Sequence, residues 1–206
     1  SPDDFQSLTL PDTLPLIGNF NRQNLQAAFC ILMALGIKYD DLLPHLKDLK
    51  APPGRLEPID CDQDFSVIVD YAHTPDALEN VLQTLRAIKL PAAKLICVFG
   101  CGGNRDADKR AKMGAIADRL ADYIILTNDN PRHENPDLIL SDIKSGVSLH
   151  KPIDSIPDRE SAIKTSIALA EKDDIVLIAG KGHETYQIIG DIQHPFDDRL
   201  VAKQTL

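Results

Sequence analysis

Apolar residues gather along this chain in short unbroken runs, separated by stretches of helical period. Val67–Val69, Leu95–Phe99, Ile124–Leu126 and Ile175–Ala179 are too short for helices and show no apolar/polar alternation, the mark of strands buried on both faces. Pro152–Ile156 reads as a shorter fifth strand. Between the runs lie helical patterns over Pro75–Ile88, Ala107–Leu120, Pro136–Lys144 and Arg159–Ala170. Thr74-Pro75 and Asn135-Pro136 place proline at the first helical position behind a capping residue, Asp158 caps the fourth helix, and Gly146 ends the third. The alternation predicts an α/β fold, a mostly parallel sheet with helices on both faces and right-handed crossovers. Tyr186–Phe196, turning at Gly190-Asp191, reads as a terminal hairpin.

The first quarter differs. Leu25–Leu35 predicts an apolar helix with Asn21 as its cap and Gly36 as its stop, and Asp40–Leu49 a second helix capped by Asp40. Ser1–Leu16 has no clear period and reads as edge strands and turns, or as the cut end of something larger; a first residue other than Met fits a fragment. Ala51-Pro52-Pro53-Gly54-Arg55 breaks all regular structure and divides the chain into 1–54 and 55–206.

Each buried run feeds a polar cluster. Val67–Val69 leads into Asp70-Tyr71-Ala72-His73-Thr74-Pro75, and Leu95–Phe99 into Gly100-Cys101-Gly102-Gly103-Asn104-Arg105-Asp106. Ile124–Leu126 leads into Thr127-Asn128-Asp129-Asn130-Pro131-Arg132, and Ile175–Ala179 into Gly180-Lys181-Gly182-His183-Glu184. In an open parallel sheet the carboxyl ends of the strands share one edge, so four clusters distant in sequence are expected to line one cleft.

Composition narrows the partners. With 43% hydrophobic and 26% charged residues the 206-residue chain has enough apolar material for a core, and a net charge of −9 argues against non-specific nucleic-acid binding. No apolar run approaches a membrane span. The four cysteines form no CxxC pair and no metal spacing, which predicts reduced thiols and a cytoplasmic protein. Cys101, inside the glycine turn, reads as a small residue that fits there rather than as a reactive thiol.

The phosphate-cradling pattern GxxxxGK[ST] is absent: Gly180-Lys181-Gly182 has the wrong spacing and no Ser/Thr after the lysine, and Gly100–Gly103 is not GxGxxG. Any ATP chemistry must therefore borrow its phosphate site from elsewhere. Asp70 ends a buried strand and needs partners, either a ribose diol or the backbone of the next helix. His73, on its own, reads as structural, and Asn24 as a surface amide or a reader of an adenine edge. Pro131 restrains Asn130 and holds one amide, one carboxylate and one guanidinium in a rigid fan. Arg105, Arg132, Asn130 and Glu184 together suggest a pocket for a zwitterion, with the arginines on carboxylates and Glu184 on an ammonium; the alternative is a solvated rim of charges. Lys181 and His183 remain open as phosphate or acid/base groups.

Taken in order, Gly18–Asn24, Pro53-Gly54-Arg55, DYAHTPD, GCGGNRD, DNPR and GKGHETYQ resemble the Mur ligases over nearly the whole chain. The tetrad Asp129-Asn130-Pro131-Arg132 resembles that of the diaminopimelate-adding type. Asn104, where many relatives carry Asp, is a small departure. The resemblance implies a C-terminal fragment: 1–54 as the tail of a central ATPase domain and 55–206 as a Rossmann-like amino-acid-binding domain. It implies Arg105, Asp129, Asn130, Pro131, Arg132, Gly180 and Glu184 as contacts to meso-diaminopimelate, and Asn24, Arg55, Asp70 and His73 as contacts to ATP. ATP, Mg²⁺ and UDP-N-acetylmuramoyl-L-alanyl-D-glutamate would bind largely through missing domains, so no catalytic or metal-ligating residue is assigned here and the fragment alone is expected to be inactive. The competing expectations are a lysine-adding or folylpolyglutamate-type ligase domain and a stand-alone amino-acid-binding module.

Overall fold

The computed structural model describes residues 10, 11, 14, 16–148 and 150–206, the side chains at 19 and 20 excepted. Most of the expected edge strands and turns at the N-terminus lie outside the described residues. The chain forms two compact units, 1–51 and 52–206.

The smaller unit holds α1 (Asn19–Ala34), α2 (Tyr39–Leu42) and a 3-10 helix over Leu43–Asp48. Leu10, Phe29 and Leu46 form its buried cluster, and Phe29 meets Tyr39 edge-on at 5.9 Å between ring centroids. Two expected caps are corrected. Helix α1 begins six residues before Leu25, with Gly18 at the N-cap. Asn21 lies inside its first turn and donates from Nδ2 back to the Ile17 carbonyl at 2.8 Å. Lys38, not Asp40, caps α2, where Asp40 sits in the first turn and meets the positive end of the helix dipole. Pro44 then tightens the continuation into a 3-10 helix instead of the single helix expected.

The larger unit is built on one six-stranded sheet. Its strands are β1 (Glu57–Ile59), β2 (Ser66–Asp70), β3 (Leu95–Phe99), β4 (Tyr123–Leu126), β5 (Ile153–Ser155) and β6 (Ile175–Ala179), in the spatial order β1-β2-β6-β3-β4-β5. All neighbours are parallel except the edge strand β1, which runs antiparallel to β2. Helices α3 (Pro75–Ile88), α4 (Asp108–Leu120) and α5 (Pro136–Lys144) pack in series on one face, and α6 (Arg159–Leu169) and α7 (Asp198–Thr205) pack together on the other. Strand residues alternate between the faces. Val67, Val69, Ile96, Val98, Val176 and Ile178 meet Ala162, Ile163 and Ile167 of α6. On the opposite side Leu78, Val81, Leu82 and Leu85 of α3 are all buried, each contributing about 1.5–3 kcal/mol.

Thr74, Asn135 and Asp158 cap their helices through side-chain oxygens, as expected. Two elements were not expected from the sequence, β1 and α7. β7 (Tyr186–Ile189) and β8 (Ile192–Pro195) form the terminal hairpin. Because β6 inserts between β2 and β3, the chain leaves the carboxyl ends of β3 and β6 toward different parts of the molecule. That divergence opens a crevice at the sheet edge, where ligands of open α/β sheets bind.

Candidate functional site

Two loops above the sheet are locked into one block. Gly103 donates its N–H to the Asn130 carbonyl at 2.9 Å, and a Cβ on Gly103 would lie 2.0 Å from the Pro131 oxygen, so only glycine permits this approach. Asn104 follows in the left-handed region, φ 52°, which asparagine tolerates, and its Oδ1 accepts from the His133 N–H at 3.1 Å. The Glu134 carboxylate accepts from the Asn104 N–H with one oxygen and from Arg110 Nη2, at 2.7 Å, with the other. The Arg110 guanidinium and the Asn104 N–H hold the Glu134 carboxyl below the usual carboxylate range. Arg110 itself is buried and also pairs with Asp142 at 2.9 Å.

The hairpin closes a third side. Gln187 Nε2 donates to the Asp129 carbonyl at 2.7 Å, and the Ile188 N–H to Asn130 Oδ1 at 2.9 Å. Arg132 donates its N–H to the Ile188 carbonyl at 3.1 Å and accepts from the Gly190 N–H at 2.8 Å. These bonds hold Arg132 at φ 52°, a conformation that costs a non-glycine residue about 1–3 kcal/mol. Gly180 takes φ 116° at the end of β6, and a side chain there would approach Asp129 Oδ2 to 2.9 Å.

The structure brings Arg105, Asp129, Asn130, Arg132, Gly180 and Glu184 to one cleft of about 490 Å³, and His73 to its other wall beside Thr74 and Lys109. Cations and anions both line it, Arg105, Lys109 and Arg132 with Asp106, Asp129 and Glu184. Arg132 Nη1 donates to the Gly103 carbonyl at 2.9 Å and to the Asn130 carbonyl at 3.4 Å, which fixes the guanidinium where it lines the cleft, while Arg105 is exposed. Pro131 is buried behind the loop and does not line the cleft.

The remaining expected contacts lie elsewhere. Asp70 is buried, and its two oxygens accept from the Leu56 and Ala72 N–H groups at 2.8 Å each; burial pushes its carboxyl up, against the pull of those bonds and of Arg55. The expected backbone of the next helix is corrected: Leu56 precedes β1 and Ala72 lies in the loop before α3, so Asp70 is held by loop backbone. Arg55 stacks on Tyr71, 5.0 Å from the ring centroid, and Tyr71 lines the cleft. His73 Nδ1 lies 2.8 Å from the Tyr71 carbonyl, which can only accept, so Nδ1 carries the hydrogen. Asn24 is exposed on α1 of the smaller unit. Sequence reasoning missed Gln187, Glu134 and Arg110; the only signal for the first was its place in the string GKGHETYQ.

Cys101 lines the cleft floor, but its thiol is buried against Met113 and pushed up to about 12 by that burial. An alkylating reagent at about pH 8 should therefore label the exposed Cys61 and spare Cys97 and Cys101, as read by peptide mass spectrometry. Labelling of Cys101 at the rate of Cys61 would show the floor to be open. Among the described residues no three His, Cys, Asp or Glu side chains are arranged to hold a metal ion, and no helix is long and apolar enough to cross a membrane.

Residues 54–182 match the family model described as Mur ligase, glutamate ligase domain. A UDP-N-acetylmuramoyl-L-alanyl-D-glutamate–2,6-diaminopimelate ligase of Fusobacterium nucleatum is 49% identical over 191 residues, covering 93% of this chain and 39% of the relative. Its counterpart in Rickettsia rickettsii is 50% identical over 192 residues, with the same shares covered. The chain thus spans about 39% of the length of the curated relatives it matches. A solved structure of a ligase of the same name superposes with a TM-score of 0.74 at 42% identity, covering 94% of this chain and 39% of that one. The UDP-N-acetylmuramate–alanine ligase of Thermotoga maritima superposes with a TM-score of 0.65 at 20% identity, covering 97% of this chain and 40% of its own; that likeness is one of fold. With more than half of its residues inside the family model and its sheet matched by these structures, the chain belongs to the Mur ligase family, through the glutamate ligase domain.

Proposed function

We propose that this chain is the amino-acid-binding part of an ATP-dependent ligase that adds meso-diaminopimelate to UDP-N-acetylmuramoyl-L-alanyl-D-glutamate in peptidoglycan precursor synthesis. Residues 55–206 supply the pocket, and 1–54 are the tail of the central ATPase domain. The carrying observation is the cleft itself, where Arg105 and Arg132 stand with Asp129, Asn130 and Glu184 around one space. Two guanidiniums suit two carboxylates, and the acids suit ammonium groups. Relatives at 49% and 50% identity that carry the diaminopimelate ligase name support the reading.

ATP, with Mg²⁺, would supply the phosphoryl group that activates the carboxylate of the nucleotide substrate. The residues near the His73 wall fit a polyanion: Lys109 Nζ donates to the His73 carbonyl at 2.7 Å, and Arg55 stands over Tyr71. Arg55 and His73 would contact ATP, and Asp70 would act through the backbone of Leu56 and Ala72, which it fixes. Without a P-loop of its own the chain would bind the amine but form no amide.

Isothermal calorimetry of this chain with meso-diaminopimelate, L-lysine and L-glutamate tests the proposal. Diaminopimelate should bind at least roughly 100-fold more tightly than lysine, since a buried or half-buried Arg left without its carboxylate loses charge-assisted bonds. Equal affinities would point to a lysine-type or general amino-acid pocket, and absence of binding would overturn the pocket reading.

A further inference from the structure

We infer that Lys181 is a positioning residue, sealed beneath the cleft, that holds Glu184 by one oxygen and so presents the other oxygen, together with an N–H of Asn130, to the ligand. The inference rests on the amino-acid-binding reading proposed above. The Lys181 side chain is 0% exposed. Its ammonium lies 2.9 Å from Glu184 Oε2, 3.1 Å from Asn130 Oδ1 and 5.6 Å from the Tyr186 ring centroid. A buried ammonium is retained only where its charge and hydrogens are met, and these three partners meet them.

The geometry decides what the cleft sees. Asn130 Oδ1 accepts from both Lys181 and the Ile188 N–H, which uses both of its lone pairs and fixes the orientation of the amide. Its Nδ2 donates to Glu184 Oε2 at 3.1 Å. Both bonds to Glu184 therefore fall on Oε2, and among the described residues none falls on Oε1. Asn130 and Glu184 line the cleft, whereas Lys181 does not. A hydrogen of the Asn130 amide and Oε1 of Glu184 thus form a donor–acceptor pair of fixed polarity, suited to the carboxylate and the ammonium of one amino-acid end. Lys181 is accordingly neither a phosphate ligand nor an acid/base group here. It acts through the two residues it grips.

Lys181→Met in the 206-residue chain tests this, with one readout that needs no ligand. By NMR, exchange of the Asn130 side-chain amide and of the Ile188 N–H should accelerate at least roughly tenfold, while amides of β3 and β4 keep parental rates. By calorimetry, meso-diaminopimelate should bind at least roughly tenfold more weakly, and Lys181→Arg, which retains the cation, should recover part of the loss. Lys181→Gln, which keeps a donor without the charge, serves if the Met variant does not fold. Exchange and affinity both within about twofold of the parent would overturn the inference. Failure of the unsubstituted chain to bind diaminopimelate would sink the amino-acid reading instead, and the exchange rates would then decide the role of Lys181.

Discussion

Replacing Asp198 with alanine should destabilise the larger unit by about 3–5 kcal/mol, a fall in Tm of roughly 6–20 °C. Asp198 and Arg159 are 0% exposed and joined by two bonds, Nε to Oδ1 at 2.8 Å and Nη2 to Oδ2 at 2.7 Å. Removing the carboxylate strands a guanidinium in the interior, where its desolvation is no longer offset. The same guanidinium donates to the Ala179 carbonyl at 3.0 Å and to the Asn128 carbonyl at 3.4 Å. It therefore ties α7 to the ends of β6 and β4, directly beneath the turns that carry Gly180 and Asp129. Urea denaturation of the variant checks the cost. The exposed pair Lys164–Glu160 is the control, where loss of the acid should change stability by only about 0.3–0.5 kcal/mol. A cost for Asp198→Ala as small as the control's would show that the buried pair anchors nothing. Replacing both partners, as Arg159→Met with Asp198→Leu, should restore stability, because no unpaired charge remains. It should not restore ligand affinity, because the two strand-end carbonyls lose their brace.

This pair also marks where sequence reasoning stops. The parallel sheet was legible because β2, β3, β4 and β6 are buried on both faces and so read as unbroken apolar runs. The cleft was legible because strand ends in such a sheet must share an edge. Helix α7 was not legible: it is short and largely polar, and its anchor is a charge pair 39 residues apart in sequence. Strand β1 was hidden by its three-residue length and by Pro58, which only an edge strand accepts. The capping roles of Asn21 and Asp40 failed because a residue type suited to capping does not say which peptide is the first to turn. Within the site the sequence named the residues at the rim but not their supports. Nothing local showed that the backbone of Leu56, 14 residues upstream, would take one oxygen of Asp70, or that the hairpin would pin Asp129–Arg132.

On the proposed function, Arg132→Ala should weaken binding of meso-diaminopimelate by roughly 10²–10⁴-fold while changing lysine binding little. The two ligands differ by one distal carboxylate, so the comparison works as a mutant cycle in which the ligand supplies one of the deletions. Arg132 has a second role that must be separated from the first, since its Nη1 bond to the Gly103 carbonyl braces the loop that carries Arg105. If bracing were its whole contribution, its loss would loosen the cleft for both ligands alike. If its fork meets the distal carboxylate, diaminopimelate alone suffers. Arg132→Lys sharpens the distinction: it keeps the charge but loses the planar two-pronged geometry, so most of the preference for diaminopimelate should go with it. Calorimetry with both amino acids on parent and variants supplies the cycle. In the full-length ligase proposed, the apparent KM for ATP should stay near its parental value in both variants, because the bonds of Arg132 run to the backbone of Gly103, Asn130, Ile188 and Gly190 and to none of Arg55, Asp70 or His73. Parallel losses for lysine, diaminopimelate and ATP would mean that Arg132 holds the loop together and reads no carboxylate.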